Sequence, residues 1–217
     1  MKKFNLGVLV RFLKIYSNRS TIQNNYFTNS FDYWIERNEG PRASGIGSYG
    51  KNATEKAKFI NYIIRNLKIN SVIDYGCGDG NQLKRYEVTN YTGIDVNLKQ
   101  LNKLKERFPE KKFYHFSEKI FSYADLKMSI DVIYHLVEDY YFYDHMDKLF
   151  DGKSDYVLIF STNFDSLGEF HVRHRNFKRI VANDYPNYVE VAINHPQKHI
   201  KFGSASFYLY QRFDGHN

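Results

Sequence analysis

The chain has 217 residues, 42 % hydrophobic and 18 % aromatic, and carries a net charge of +7. That length holds one domain with little left over for a second, and that apolar fraction supports a packed core, which argues against disorder. A single cysteine, Cys77, excludes an internal disulfide, no Cys/His spacing marks a zinc site, and a reducing, cytoplasmic setting is expected.

The start, Met1 to Tyr16, has an apolar run, Leu6 to Val10, cut by Arg11 and Lys14. It is too short to span a bilayer and reads as a basic amphipathic helix or a loose arm. Residues 17–50 are polar, aromatic and glycine-containing. They predict a short helix around Phe31-Asp32-Tyr33-Trp34 and then a loop or lid over Ser44 to Gly50. Residues 1–50 are therefore read as an arm, helix and lid, and residues 51–217 as the main domain.

Ala57, Ile60, Ile63, Ile64 and Leu67 share one face of a helix predicted over 53–68. Ser71 to Tyr75 is a short strand, and Gln82 to Tyr86 opens a second helix. Tyr91 to Val96 is a strand, Leu98 to Phe108 a helix and Lys112 to Phe116 a third strand. Leu126 to Tyr134 is a fourth strand, Tyr140 to Phe150 a helix and Tyr156 to Phe160 a fifth strand. Tyr188 to Ile193 and Ser206 to Phe213 are two final strands with no clear helix between them, with a turn at Asp184 to Asn187. The alternation predicts an α/β fold: a Rossmann-like, seven-stranded, mostly parallel sheet with helices on both faces and an antiparallel edge hairpin.

The sharpest local signal is Val72-Ile73-Asp74-Tyr75-Gly76-Cys77-Gly78-Asp79-Gly80-Asn81, a strand running into a glycine-rich turn. Its spacing is G-x-G-x-G rather than the G-x-G-x-x-G of dinucleotide sites. An acid just before the turn, Asp74, repels a pyrophosphate and suits a cationic amino group. Asp95 ends the next strand about fifteen residues after Gly80, close to where a strand-end carboxylate meets a ribose diol. Such a carboxylate accepts a hydrogen bond from each hydroxyl.

These stretches resemble class I S-adenosylmethionine-dependent methyltransferases over about residues 31–213. They look closest to small bacterial members often found with genes for surface-polysaccharide assembly. The matching segments are Tyr33-Trp34, Ser44 to Gly50, Val72 to Leu83, Gly93 to Val96, Ser129 to Asp139 and His171 to Arg175. The resemblance implies S-adenosyl-L-methionine as cofactor. Asp74, Gly76 and Gly78 would line its methionine end, in one turn with Cys77 and Gly80. Asp95 would hold the ribose, Val96 would meet the adenine, and Asp131 and Val132 would lie near the sulfonium. Tyr49 is placed to close over the cofactor. Relatives often carry an acid after the third strand for the adenine amine. Here Tyr114-His115-Phe116-Ser117 has none, so backbone groups and the Phe116 ring are expected instead.

Methyl transfer chiefly needs alignment of acceptor, methyl and sulfur, and a hydroxyl acceptor also benefits from a base. His135, just after the fourth strand beside Tyr134, reads as that base or as a structural histidine holding a backbone carbonyl. His171-Val172-Arg173-His174-Arg175 reads as an anion site or as a solvated basic turn. In the first reading His171 and His174 are further candidate bases, and Tyr134, Arg173 and Arg175 bind the acceptor. Glu138 and Asp139 read as an acid pair favouring a helix N-terminus. Trp34 reads as a packing residue, with Tyr33 and Trp34 also placed to flank the acceptor entrance. His195, His199 and His216 read as surface residues.

The expected activity is O-methylation of an anionic acceptor: a nucleotide sugar, a phosphorylated sugar, or a phosphoramidate or other capsule group. An RNA methyltransferase and a non-catalytic cofactor-binding module are the alternatives. The fourth strand is followed by Asp-Val-Ile-Tyr rather than the Asn/Asp-Pro-Pro-aromatic run of base amino-group methyltransferases, which argues against that class, and no appended RNA-binding module is seen; nucleic acid is not the expected partner.

Overall fold

The structure is a computed structural model and describes residues 29–37, 44–119, 123–167, 171–194 and 205–213. The expected N-terminal arm and His195, His199 and His216 lie outside the described residues. The described helices are α1 (Ser30–Arg37), α2 (Gly50–Asn66), α3 (Leu98–Arg107), α4 (Asp139–Leu149) and α5 (Phe177–Asp184). The strands are β1 (Ser71–Tyr75), β2 (Asn90–Asp95), β3 (Lys112–His115), β4 (Ala124–Ile130), β5 (Ser154–Ser161), β6 (Ser166–Leu167), β7 (Arg173–His174), β8 (Tyr188–Asn194) and β9 (Ser206–Arg212). None of these helices is long and apolar enough to cross a membrane.

Seven strands form one sheet in the order β3-β2-β1-β4-β5-β9-β8, and β6 pairs with β7 separately. β1 to β5 run parallel, β9 is antiparallel to β5, and β8 is antiparallel to β9. This is the expected Rossmann-like sheet with its antiparallel edge. Strand order reverses between β1 and β4, the switch point at which such sheets open a crevice beyond their carboxyl ends.

Burial on both faces explains the unbroken apolar run of β5. Leu158 and Phe160 pack with Ile60 and Ile63 of α2 and with Leu101 and Leu104 of α3. Val157 and Ile159 face the other way, onto Phe142 and Met146 of α4 and Phe177 and Val181 of α5. The same alternation sends Leu209 to the first layer and Tyr208 and Tyr210 to the second.

Four local expectations change. No α-helix follows the glycine turn: Leu83–Arg85 is a single 3-10 turn. Asn61 of α2 takes over the backbone groups that would extend it, donating to the Arg85 carbonyl at 2.8 Å and accepting from the Glu87 N–H at 3.0 Å. The fourth strand stops at Ile130 rather than Tyr134, because Asp131 sits at φ 61 and turns the chain into a 3-10 turn at Ile133–His135. α2 ends at Asn66, ahead of Lys68 at φ 54. α5, not anticipated between β5 and β8, is a short helix with Phe177 and Val181 buried four residues apart and Asn176 accepting from the Arg179 N–H at its start.

Candidate active site

The carboxyl ends of β1, β2, β3 and β4 and the overlying α1 enclose an open cleft. Nine of the expected cofactor residues line it: Asp74, Gly76, Cys77, Gly78, Asp95, Val96, Phe116, Asp131 and Val132.

At the end of β1, the Asp74 carboxylate is 5 % exposed. Its Oδ2 accepts from the Tyr91 hydroxyl at 2.7 Å, while Oδ1 is buried with no hydrogen-bond partner among the described residues. Burial pushes the carboxyl up to about 7, and the nearby Asp95 charge adds to the rise, against the pull of the Tyr91 bond and Lys56. A buried carboxylate oxygen with no donor is costly unless a donor arrives, and a cationic one repays most.

At the end of β2, Asp95 accepts the Gly78 N–H at 2.9 Å and the Asn97 N–H at 3.0 Å, one on each oxygen. The Val96 backbone N–H also bears on this carboxylate, which leaves acceptor capacity for a further donor. Burial raises this carboxyl also, and the backbone N–H groups of Asn97 and Gly78 offset part of that. The glycine turn is shaped by its protein neighbours as much as by a ligand. Gly76 has φ +88, and a Cβ there would come within 2.4 Å of Val132 Cγ2, so the turn after β4 closes against it only because it is glycine.

Phe116 forms the wall after β3, edge-on to Phe31 of α1 at 5.3 Å and stacked on His145 of α4 at 6.0 Å. His145 was not anticipated. It is buried and pairs through Nε2 with the Ser129 hydroxyl at 2.9 Å, and burial pulls it down to about 3, so it is neutral. Its signal was its place beside Phe142, Met146 and Leu149 on the buried face of α4.

Beyond β4, Tyr134 donates to Asp131 Oδ1 at 2.8 Å. Lys56, fully buried on α2, forms an ion pair with Asp131 Oδ2. A lysine one turn before Ile60 on an apolar face could have signalled this partner. His135 Nδ1 lies 3.1 Å from the His171 carbonyl oxygen, to which it can only donate, so its proton is on Nδ1 and Nε2 carries the lone pair. Burial lowers His135 to about 4, keeping it neutral. Trp34 meets its ring edge-on at 4.7 Å, and His171 lies parallel to it at 5.6 Å.

The remaining expected residues sit elsewhere. Tyr49 donates its hydroxyl to Asp79 rather than closing over the cleft. Gly80 lies against α3, where a Cβ would come 2.5 Å from Leu104 Cδ2. His174 Nδ1 pairs with the Thr162 hydroxyl at 2.7 Å, and His171 reaches His135 through its backbone and ring.

The arginines are the largest departure. Arg175 is 7 % exposed; it donates to the Leu136 and Val137 carbonyls, both at 2.7 Å, and meets Asp139 at 3.0 Å. Arg173 donates to the Val137 carbonyl at 3.1 Å and pairs with Asp139 at 2.9 Å. The expected anion fork is therefore a brace for the loop between β4 and α4, and neither arginine lines the cleft.

α1 is tied to both rims. Ser30 donates its N–H and hydroxyl to the Glu138 carboxylate at 3.1 and 2.5 Å, so Glu138 secures the start of α1 although it stands at the start of α4. At the other end, Asn97 Nδ2 donates to the Ile35 carbonyl at 2.9 Å.

No protein-family model and no curated protein sequence matches the chain. Solved structures do. The methyltransferase domain of bacterial CtHen1-C has a TM-score of 0.56 at 20 % identity, covering 73 % of this chain and 97 % of that one. The N-methyltransferase NodS from Bradyrhizobium japonicum, in complex with S-adenosyl-L-homocysteine, has a TM-score of 0.67 at 11 % identity, covering 85 % and 98 %. An S-adenosylmethionine-dependent methyltransferase from Clostridium acetobutylicum has a TM-score of 0.58 at 12 % identity, covering 74 % and 92 %. The chain thus has the fold of class I S-adenosylmethionine-dependent methyltransferases.

Proposed function

We propose that this chain is an S-adenosylmethionine-dependent O-methyltransferase acting on an anionic carbohydrate precursor or surface-polysaccharide group. The observation that carries the cofactor half is the buried Oδ1 of Asp74, a cleft-lining residue, which has no donor among the described residues. An ammonium group of the methionine end supplies that donor. Asp95 keeps acceptor capacity for a ribose hydroxyl, and Phe116 with Phe31 offers aromatic surface for the adenine.

When bound, S-adenosylmethionine would supply a methyl group activated on a sulfonium, the acceptor oxygen gaining the methyl and the sulfur leaving as the thioether of S-adenosylhomocysteine. His135 takes the acceptor's proton on Nε2, the nitrogen left free by the bond from Nδ1 to the His171 carbonyl. Asp131, held by Lys56 and Tyr134, would lie near the sulfonium, as the resemblance implies, with its carboxylate fixed in place. The carbohydrate class rests on the motif resemblance of Ser129 to Asp139 and His171 to Arg175.

A second reading, RNA methylation, is favoured by the +7 charge and by the likeness to the small RNA methyltransferase HEN1, with a TM-score of 0.57 at 15 % identity, covering 78 % of this chain and 26 % of that one. One assay separates the two: formation of S-adenosylhomocysteine by purified protein over nucleotide sugars, sugar phosphates, phosphoramidate precursors, capsule fragments and RNA. Turnover on the carbohydrate set is expected. Turnover on RNA alone overturns the acceptor, and no binding of S-adenosylhomocysteine by calorimetry overturns the cofactor.

A further inference from the structure

Four carboxylates line the cleft (Asp74, Asp79, Asp95 and Asp131), and no lysine or arginine does. Asp131 is paired with Lys56 and Asp74 is raised to about 7, so part of that charge is met within the protein; the lining still suits a cationic cofactor and offers an anionic acceptor no cation. An anionic acceptor therefore needs a cation at the mouth, and the two arginines closest in sequence to that role are held by Asp139 and backbone carbonyls.

Arg37 does not line the cleft itself but stands beside Trp34, which does. Trp34 and Arg37 stand three residues apart on α1, one above the other on a single helix face. The guanidinium lies 5.3 Å from the centroid of Trp34 and 5.6 Å from that of Tyr33, and it donates to the Tyr33 hydroxyl. Trp34 lines the cleft and touches His135, so its ring has the base on one side and the guanidinium on another. Arg37 is also among the charges that lower His135. The Arg37 side chain is exposed and meets no carboxylate among the described residues. Two aromatic rings and one hydroxyl thus orient a guanidinium whose remaining N–H groups are open to a ligand.

We propose that Arg37 is the residue that selects the acceptor, binding a phosphoryl or carboxylate oxyanion of it beside Trp34 and His135. The planar fork matches such an oxyanion with two parallel N–H bonds, which a lysine at this position cannot supply. The inference rests on the proposed methyltransferase reading with an anionic acceptor, and names the contact that reading requires.

Trp34 is the chain's one tryptophan, so tryptophan emission reports on this mouth alone. The experiment titrates the protein, saturated with S-adenosylhomocysteine, with glucose 1-phosphate, glucuronate and glucose while following that emission. A saturable change with one or both anions and none with glucose is expected, and the pair distinguishes phosphoryl from carboxylate. Arg37→Ala should raise the half-saturating concentration by about tenfold or more, and Arg37→Lys should recover only part of it. Arg173→Ala should titrate like the unaltered protein, and S-adenosylhomocysteine affinity by calorimetry should be unchanged in the Arg37 variants. A response that survives Arg37→Ala, an equal response to glucose, or no response in the unaltered protein overturns the assignment. Loss of S-adenosylhomocysteine binding by the unaltered protein defeats the methyltransferase reading instead.

Discussion

The cofactor side of the cleft is walled by the ends of β1, β2 and β3, whereas the acceptor side is walled by α1 and the turn after β4. The first is built from short-range pieces: Asp74, the glycine turn and Asp95 fall within one strand–turn–strand stretch. The second joins parts from far apart, with Ser30 bonded to Glu138 across 108 residues and His135 bonded to His171 across 36. The cofactor side keeps an unmet need, the bare Asp74 oxygen. The acceptor side has most of its charges already satisfied within the protein. A rigid site for a ligand of constant chemistry and a loop-built site for a variable one is the division expected of such sheets.

His135→Ala sharpens the contrast most. Turnover should fall by about 10²–10⁴-fold with cofactor affinity unchanged, measured by S-adenosylhomocysteine release and calorimetry. A near-normal rate removes the base from the acceptor side. Arg175→Ala should cost about 1–3 kcal/mol of stability, read from denaturant unfolding, because it strands the Leu136 carbonyl and leaves the Val137 carbonyl and Asp139 to Arg173 alone. If it instead raised the acceptor Michaelis constant at unchanged stability, the fork would belong to the ligand after all. Asp95→Ala should weaken S-adenosylhomocysteine binding by about 1–3 kcal/mol and leave the emission response to acceptor anions intact.

The two sides should also separate by pH. Asp74 is raised from 3.8 to about 7, so its folded form prefers the proton. In the ligand-free protein, stability from this group is present at low pH and is lost as pH rises through that window. An ammonium ligand wants the anion, so its affinity runs the other way. S-Adenosylhomocysteine affinity should fall by about tenfold per pH unit below 7, and Asp74→Asn should flatten that profile. The acid limb assigned to His135 lies near 4, far from it. Coincident limbs would erase the distinction between the two sides. The smallest effect is expected of Glu138→Ala, which frees the start of α1 at about 1 kcal/mol, seen as a lower melting temperature.

What could be read from the sequence followed the same boundary. The strand ending at Asp74, the glycine turn and Asp95 carry their meaning in adjacent residues, and the sheet order follows from alternating elements. Arg173 and Arg175 misled because a basic run shows its charge but not its partner, and Asp139 lies 34 residues upstream of Arg173. Lys56 and His145 stand at apolar helical positions, where only the facing side chains, Asp131 and Ser129, reveal why a polar group is tolerated. Arg37 has no nearby motif, since its surroundings are made by folding α1 across the cleft. The missing helix after the glycine turn depends on Asn61, whose reach to Arg85 and Glu87 leaves no trace in local propensity.

One eight-residue helix carries Phe31 against Phe116 and Trp34 against His135, with its two ends bonded to opposite rims. Both ligands therefore share a wall, and that couples how their specificities can evolve. A substitution that tilts α1 to admit a bulkier acceptor also lifts Phe31 from Phe116, so acceptor range is traded against cofactor retention. Drift without that trade is open only to side chains that reach the mouth without bearing on the helix axis, and Arg37 is one of these.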